Sequence, residues 1–295
     1  MLSYFQAIVI GLIQGVTELF PISSLGHSVI IPGLLGWNSI VNSESASESF
    51  YLAFLVGLHV ATALALLWYF RDQWARTIRA FFHTCHTRRV ETPDERLAWL
   101  LIVATIPAGL MGLLFEHSLR VLLATPVAAS ILLTINGLIL LAGERVRRRQ
   151  AVRAVAVAHG VKDDGGRRLD TLEYRESGVI GVAQVFALCA GISRSGITMV
   201  AGLFRGLDHE DAARFSFLLA TPIILAAGVY KLPDLLGSNG AHVRGQVLVG
   251  SLFAAGSAYL AVRFLMRYFQ TRTLIPFAVY CLVVGVSTAI YFAVT

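Results

Sequence analysis

Long apolar stretches separated by short polar ones run along the whole chain. Six of them have the length of about 20 residues that crosses a bilayer, and they predict spans at residues 50–70, 97–115, 121–143, 213–232, 245–266 and 274–294. Two other apolar regions, 2–36 and 177–206, are interrupted by polar clusters and glycine, and the first also by Pro21 and Pro32. Because such interruptions disrupt helices, we expect each region to be a re-entrant helix–loop–helix that returns to the same side of the membrane.

The two interrupted regions are similar to each other in sequence. With an offset of 170 residues, seven identities fall within twenty positions without a gap. They pair Val9, Ile10, Gly11, Gln14, Ile22, Ser23 and Gly26 with Val179, Ile180, Gly181, Gln184, Ile192, Ser193 and Gly196. This match indicates an internal repeat. Each repeat then contains one re-entrant region and three spans, and since three is odd, the second repeat must be inserted upside down.

The predicted fold is therefore an all-α polytopic membrane protein built from inverted repeats. The first repeat covers residues 1–143 and the second covers 177–295. The stretch 144–176 is the least apolar part of the chain, and we interpret it as a flexible basic loop that joins the repeats. The polar stretches 37–49 and 71–96 are predicted to be loops between spans.

Composition and charge support a membrane protein. Of the 295 residues, 56% are hydrophobic and 14% are charged, whereas soluble proteins contain about 25% charged residues. The net charge of +6 is interpreted as marking cytoplasmic loops and not a nucleic-acid surface. In the predicted topology, 20 lysine and arginine residues lie on one side and three on the other. This places the basic loops in the cytoplasm and both termini on the outer side.

Glu18 and Arg194 are the two charged residues that the predicted topology places at membrane depth. A charge at the centre of a bilayer costs about 2.5–3.5 kcal/mol or more. Opposite charges in two converging repeats are therefore expected to lie together. A structural ion pair is the simpler interpretation, but it leaves the surrounding serine, threonine and histidine residues without a role.

The segment 191–198 has the residue types of an anion-binding loop. A helix that begins near Ser195 would direct its N–H groups towards a bound anion, and the planar guanidinium of Arg194 suits phosphate. Glycine allows close approach of the backbone, and short hydroxyl side chains supply donors. The candidate phosphate-binding residues are Ser23, Ser193, Ser195, Gly196 and Thr198.

Three further polar residues are candidates for chemistry. His27 follows Ser24 by three positions and could accept a hydroxyl proton or donate one to a leaving group; a buried histidine satisfied by the backbone is the alternative. Gln14 and Glu18 share one helix face and are candidates to hold a divalent cation together with phosphate oxygens. His59 lies inside a predicted span, where packing is favoured over a place in the site.

Three motifs together resemble those of the undecaprenyl-diphosphate phosphatase family of the bacitracin-resistance type. The motifs are Gln14-Gly-Val-Thr-Glu18, Pro21-Ile-Ser-Ser-Leu-Gly-His27 and Gly191-Ile-Ser-Arg-Ser-Gly-Ile-Thr198. The resemblance implies a phosphatase of the bacterial inner membrane that converts undecaprenyl diphosphate to undecaprenyl phosphate and inorganic phosphate. This reaction recycles the lipid carrier of cell-wall synthesis and confers bacitracin resistance. Ala61, Ala190 and Leu25 depart from the usual residues of the family.

The same resemblance implies dependence on a divalent cation, Mg²⁺ or Ca²⁺, and gives roles to individual residues. The catalytic residues are expected to be Glu18, Ser24, His27 and Arg194. Either Ser24, activated by His27 or Glu18, attacks the terminal phosphorus, or Glu18 and the metal activate water. The expected partners are the polyprenyl diphosphate lipid and the bilayer, not nucleic acid, and a homodimer is left open.

A flippase or transporter for a phosphorylated isoprenoid lipid is the alternative function. Inverted repeats with re-entrant hairpins suit alternating access. The two serine-rich motifs favour chemistry over transport. A structural membrane subunit is a weaker interpretation, because it does not explain the buried charges.

Overall fold

The computed structural model describes residues 2–37, 50–123, 125–157, 167–237 and 243–294. These ranges are almost entirely helical and contain no β-strand. The helices are α1 (Tyr4–Thr17), α2 (Ser24–Leu34), α3 (Phe50–Tyr69), α4 (Arg71–Thr87), α5 (Pro93–Leu123), α6 (Pro126–Val157), α7 (Tyr174–Gln184), α8 (Arg194–Phe204), α9 (His209–Leu236), α10 (Arg244–Tyr268) and α11 (Ile275–Val294). Two short 3₁₀ turns, Leu169–Thr171 and Val185–Leu188, flank α7.

Six helices within the described ranges are long and apolar enough to cross a membrane, namely α3, α5, α6, α9, α10 and α11. This confirms the all-α polytopic fold that the hydrophobic pattern predicts. Helices α2, α7 and α8 have 11 residues each, a length of about 17 Å at 1.5 Å per residue. They are too short to span the hydrocarbon core of about 30 Å. The division into two repeats and their inverted insertion stay predictions.

The structure differs from the sequence analysis in two polar stretches. The predicted loop 71–96 is helical over Arg71–Thr87. Helix α6 begins at Pro126, where proline suits the first helical turn, and continues to Val157, so the first part of the predicted joining loop is also helical. The predictions for residues 38–49 and 158–166 lie outside the described residues.

Glycines allow two pairs of helices to pack backbone against backbone. Helix α1 packs on α10, and α7 packs on α5. A Cβ atom at Gly11 would lie 2.4 Å from the carbonyl oxygen of Gly250, and one at Gly181 would lie 2.4 Å from that of Ala104. Small residues at such contacts are typical of helices that associate in membranes. Gly11 and Gly181 occupy the same position in the sequence repeat.

The loop between α1 and α2 and the loop before α8 meet inside the bundle. Asn136 of α6 joins them, because its Nδ2 donates to the Pro21 carbonyl at 2.9 Å and its Oδ1 accepts from the Ser193 N–H at 3.0 Å. The Gly191 N–H donates to the Ser23 hydroxyl at 3.1 Å. A Cβ atom at Gly191 would lie 2.5 Å from the Ala129 carbonyl oxygen, so this close approach requires glycine. These contacts bring the two interrupted regions to one place.

Candidate active site

The buried carboxylate of Glu18 lies at the centre of the place where the two loops meet. Its Oε2 accepts hydrogen bonds from the Ser24 hydroxyl at 2.5 Å and from the Gln14 amide at 3.1 Å. Its Oε1 accepts from Arg194 Nη2, also at 2.5 Å. The Nε2 atom of His59 lies 3.4 Å from Oε2. One carboxylate therefore links a hydroxyl, a guanidinium and an imidazole from three parts of the chain.

The backbone at the start of α2 determines where Ser24 points. Ser23 is the N-cap and has φ 68° and ψ 105°, a conformation that costs a residue other than glycine about 1–3 kcal/mol. The Ser23 hydroxyl accepts from the N–H groups of Gly26 at 3.2 Å and Gly191 at 3.1 Å. These bonds hold the unusual backbone in place. Ser24, the first residue of α2, then reaches Glu18.

Arg194 begins α8 and supplies the positive charge of the site. Its side chain is 16% exposed and one nitrogen, Nη2, contacts Glu18. The other terminal nitrogen, Nη1, is buried and finds no hydrogen-bond partner among the described residues. Because a buried charged donor without a partner is costly, this nitrogen is suited to bind an anion that enters the site.

A cavity of about 690 Å³ opens from these side chains, a size within the usual range for ligand sites. Its polar lining at the Glu18 end consists of Glu18, Ser23, Ser24, His59, Ser193 and Arg194, and Tyr230 and Lys231 of α9 also line the cavity. Apolar side chains of α3, α5, α9 and the second 3₁₀ turn form the remaining walls, among them Leu55, Leu113, Leu188 and Ile223. Helices α2 and α8 both begin at this cavity, with their positive ends towards it. The arrangement can hold an anionic group that carries an apolar chain.

Three of the predicted phosphate-binding residues have polar groups engaged elsewhere. The Ser195 hydroxyl contacts the Ser193 hydroxyl at 3.0 Å, the Gly196 N–H donates to the Ser193 hydroxyl at 3.1 Å, and the Thr198 hydroxyl donates to the Arg194 carbonyl at 2.7 Å. None of the three lines the cavity. They stabilise the start of α8, whereas Ser23 and Ser193 line the cavity.

The structure does not bring His27 to the main cavity. Its Nδ1 lies 2.7 Å from the Ser23 carbonyl oxygen and its Nε2 lies 2.8 Å from the Tyr280 hydroxyl. His27, Gln14 and Ser24 instead line a second cavity of only about 10 Å³, which is close to the volume that a single water molecule needs. Ser24 lies between the two cavities.

The sequence favoured a packing role for His59, but the structure places this residue at the cavity. Its Nδ1 donates to the Leu55 carbonyl at 2.8 Å, which leaves Nε2 facing Glu18. In the sequence, the feature that pointed to His59 was a histidine inside an otherwise apolar span. This feature alone does not place the residue at the site, because its distance from Glu18 depends on how α3 packs near α1.

The candidate cation ligands Gln14 and Glu18 offer a carboxamide and a carboxylate, both oxygen donors of the type that Mg²⁺ and Ca²⁺ take. Within the described residues there is no group of three or more His, Cys, Asp and Glu side chains placed to hold a metal. In the structure the Gln14 amide nitrogen donates to Glu18 Oε2, and Gln14 lines the small cavity and not the main one. A cation shared by both residues would need the amide reversed, so that its oxygen lies beside the carboxylate, and would take its other ligands from phosphate oxygens and water. The two residues do not form a complete protein site.

Comparison with known proteins assigns the chain to a family. Residues 7–287 match the family described as "Bacitracin resistance protein BacA". The "Undecaprenyl-diphosphatase" of Mycolicibacterium paratuberculosis is 56% identical over 99% of this chain and 98% of its own. The "Undecaprenyl-diphosphatase 2" of Frankia alni is 54% identical over 99% of both chains, and that of Burkholderia ambifaria is 42% identical over 97% and 95%. The chain therefore belongs to the bacitracin resistance protein BacA family.

Proposed function

We propose that the protein is an integral membrane phosphatase that hydrolyses undecaprenyl diphosphate to undecaprenyl phosphate and inorganic phosphate. The relatives named undecaprenyl-diphosphatase support this substrate. The observation that carries the proposal is the contact of one buried carboxylate with both a serine hydroxyl and a guanidinium, each at 2.5 Å. Such a set suits transfer of a phosphoryl group to a hydroxyl.

In the proposed mechanism, Ser24 Oγ attacks the terminal phosphorus of the diphosphate. The hydroxyl proton passes to Glu18 Oε2, which already accepts its hydrogen bond. The bond between that phosphorus and the bridging oxygen breaks, and undecaprenyl phosphate leaves. Water then hydrolyses the phosphoserine and releases inorganic phosphate.

Arg194 would bind the transferred phosphoryl group. Nη2 stays on Glu18, while the unpartnered Nη1 donates to a phosphate oxygen. The N-termini of α2 and α8 add partial positive charge to the same cavity. Because charge accumulates on the equatorial oxygens during phosphoryl transfer, donors fixed before the reaction lower its barrier.

Attack by water activated directly at Glu18 is the second route. His59, 3.4 Å from the carboxylate, is a further group at the cavity that can hold a proton in either route. The two routes differ in whether a phosphoserine forms. Loss of the Ser24 hydroxyl removes the nucleophile of the first route and leaves the water route intact.

A divalent cation, Mg²⁺ or Ca²⁺, is part of the proposal. Glu18, and Gln14 with its amide oxygen turned towards that carboxylate, would hold it together with phosphate oxygens. When bound, it would neutralise part of the negative charge of the diphosphate. The chain's own contribution is the pair of oxygen ligands at one end of α1.

The apolar walls of the cavity are proposed to take the first part of the isoprenoid chain, with the rest in the lipid. The protein would lie in the bacterial inner membrane with its basic loops in the cytoplasm and both termini outward. The site would then open to the outer side. The homodimer stays a prediction, which light scattering of the purified protein in detergent tests.

The direct test is release of inorganic phosphate from undecaprenyl diphosphate by the purified protein in detergent. We expect steady turnover by the wild-type protein and none by the detergent fraction of cells that lack the gene. A protein that moves the labelled lipid across vesicle membranes without releasing phosphate would be a flippase, and the proposed reaction would be wrong.

A further inference from the structure

Both ring nitrogens of the buried His27 are engaged by fixed partners. A carbonyl oxygen can only accept, so the 2.7 Å contact with the Ser23 carbonyl places a hydrogen on Nδ1. In the neutral ring, Nε2 then accepts from the Tyr280 hydroxyl at 2.8 Å. Among the described residues, the partners of its two ring nitrogens are a carbonyl and a hydroxyl, and neither is a carboxylate. The rings of His27 and Tyr280 also stack, with centroids 5.8 Å apart and planes 14° from parallel.

The carbonyl that His27 binds belongs to the residue with the unusual backbone. Ser23 is held at φ 68° by hydrogen bonds at two groups. Its hydroxyl accepts from the N–H groups of Gly26 and Gly191, and its carbonyl accepts from His27 Nδ1–H at 2.7 Å and, over the longer distance of 3.3 Å, from the His27 backbone N–H. The next residue, Ser24, donates to Glu18 at 2.5 Å. A change at the Ser23 carbonyl therefore alters the direction of the Ser24 hydroxyl.

The geometry does not suit His27 as the proton acceptor for Ser24. The hydroxyl already has a carboxylate acceptor in Glu18. Neither nitrogen of His27 is directed at Ser24, and the ring does not line the main cavity. Proton transfer by His27 would require it to give up one of two good hydrogen bonds.

We infer that His27 and Tyr280 are positioning residues for the nucleophile: the Tyr280 hydroxyl fixes the Nδ1–H tautomer of His27, and Nδ1–H holds the Ser23 carbonyl. Tyr280 lies on α11, 253 residues from His27 in sequence, so the last helix of the chain orients the reactive serine near its start. Neither residue touches the substrate. The inference deepens the proposed phosphatase function and rests on it for its kinetic test.

Two substitutions of His27 separate positioning from proton transfer. Asparagine places an amide nitrogen where Nδ1 lies, and glutamine places one where Nε2 lies. We expect His27→Asn to stay within about tenfold of the wild-type kcat, since one hydrogen bond to Ser23 is kept, and His27→Gln to fall at least tenfold below it. Equal inactivity of both variants would show that a titrating ring is needed, and would overturn the inference.

Tyr280→Phe removes the hydroxyl and keeps the stacked ring. We expect its kcat to fall about tenfold and its KM to stay unchanged. A tenfold fall in kcat corresponds to the loss of about one hydrogen bond between fixed groups. The matched control is Tyr268→Phe, which removes a hydroxyl that donates to the Thr273 carbonyl at 3.2 Å and should leave kcat unchanged. Wild-type kcat in Tyr280→Phe would contradict its role, and thermal unfolding of every variant checks folding.

A readout without turnover separates this inference from the proposed reaction. The measurement is an NMR spectrum of protein labelled with ¹⁵N-histidine, in which the resonances that disappear in His27→Asn belong to His27. We expect the neutral ring with the proton on Nδ1, and a shift of the Nε2 resonance in Tyr280→Phe. A proton on Nε2 would overturn the inference, whatever reaction the protein catalyses.

Discussion

Arg194→Lys keeps the positive charge of the site and removes the planar pair of terminal nitrogens. Arg194 uses Nη2 for Glu18 and leaves Nη1 buried without a partner among the described residues. A single ammonium group cannot reproduce both positions of the guanidinium. If the lysine keeps the contact with Glu18, the hydrogen bond from Nη1 to the phosphate is lost.

A hydrogen bond to a charged group is worth about 1.5–3 kcal/mol, which corresponds to a loss of about 10- to 150-fold in kcat/KM. The assay is phosphate release from undecaprenyl diphosphate in detergent, with thermal unfolding as a check on folding. We expect a small change in unfolding temperature, since Glu18 keeps a cationic partner. Arg194→Ala should unfold more readily, because removing one partner of a buried ion pair costs about 3–5 kcal/mol and Glu18 would keep only His59, Ser24 and Gln14.

The control for Arg194→Lys is Arg79→Lys on the exposed face of α4. Arg79 donates from Nε to the Ala75 carbonyl at 3.0 Å and contacts no group of the site. Its substitution should leave kcat/KM unchanged. Retention of more than half of the wild-type kcat/KM in Arg194→Lys would refute the assignment of Nη1 to the phosphate.

Three more predictions follow from the same contacts. Glu18→Gln keeps the side-chain shape but not the proton acceptor, and should lower kcat at least about 100-fold; near-normal phosphate release would exclude Glu18 as the base. Gly11→Val should lower the free energy of unfolding by about 1–3 kcal/mol or more because its Cβ meets the Gly250 carbonyl oxygen at 2.4 Å. Gly256→Ala, inside α10 with nothing within 4 Å of the added Cβ, should not lower it and should raise it by up to about 1 kcal/mol through the helix propensity of alanine; destabilisation of both variants alike would contradict the close packing of α1 on α10. Chelation with EDTA should stop turnover and added Mg²⁺ or Ca²⁺ should restore it, and full activity after chelation would contradict the proposed cation.

Much of the fold was predictable because the membrane imposes simple requirements on length and hydropathy. The six predicted spans follow from these two properties alone, and the structure has six such helices within the described ranges. The contact of Glu18 with Arg194 was also predictable, since a charge at membrane depth needs a partner and the second repeat contains an opposite charge. Helix α4 was missed because its many polar residues suggested a loop.

The finer arrangement of the site could not be predicted, because it depends on which partner each polar atom finds. The sequence shows that Ser195 and Thr198 have hydroxyl groups, but not that α8 uses them for its own first turn. It shows that His27 is close to Ser24 in the chain, but not that Tyr280, far along the chain, engages its ring. Contacts between distant helices decide both cases.

The central claim is that Ser24, held on the carboxylate that also pairs with Arg194, is the nucleophile. The most direct measurement compares phosphate release by the wild-type protein and by Ser24→Ala, purified in parallel and shown to unfold at similar temperatures. Loss of the nucleophile should lower kcat by at least about 1,000-fold, and mass spectrometry of rapidly quenched wild-type protein should detect phosphoserine at position 24. Near-normal turnover by Ser24→Ala would contradict the claim and leave the direct attack of water.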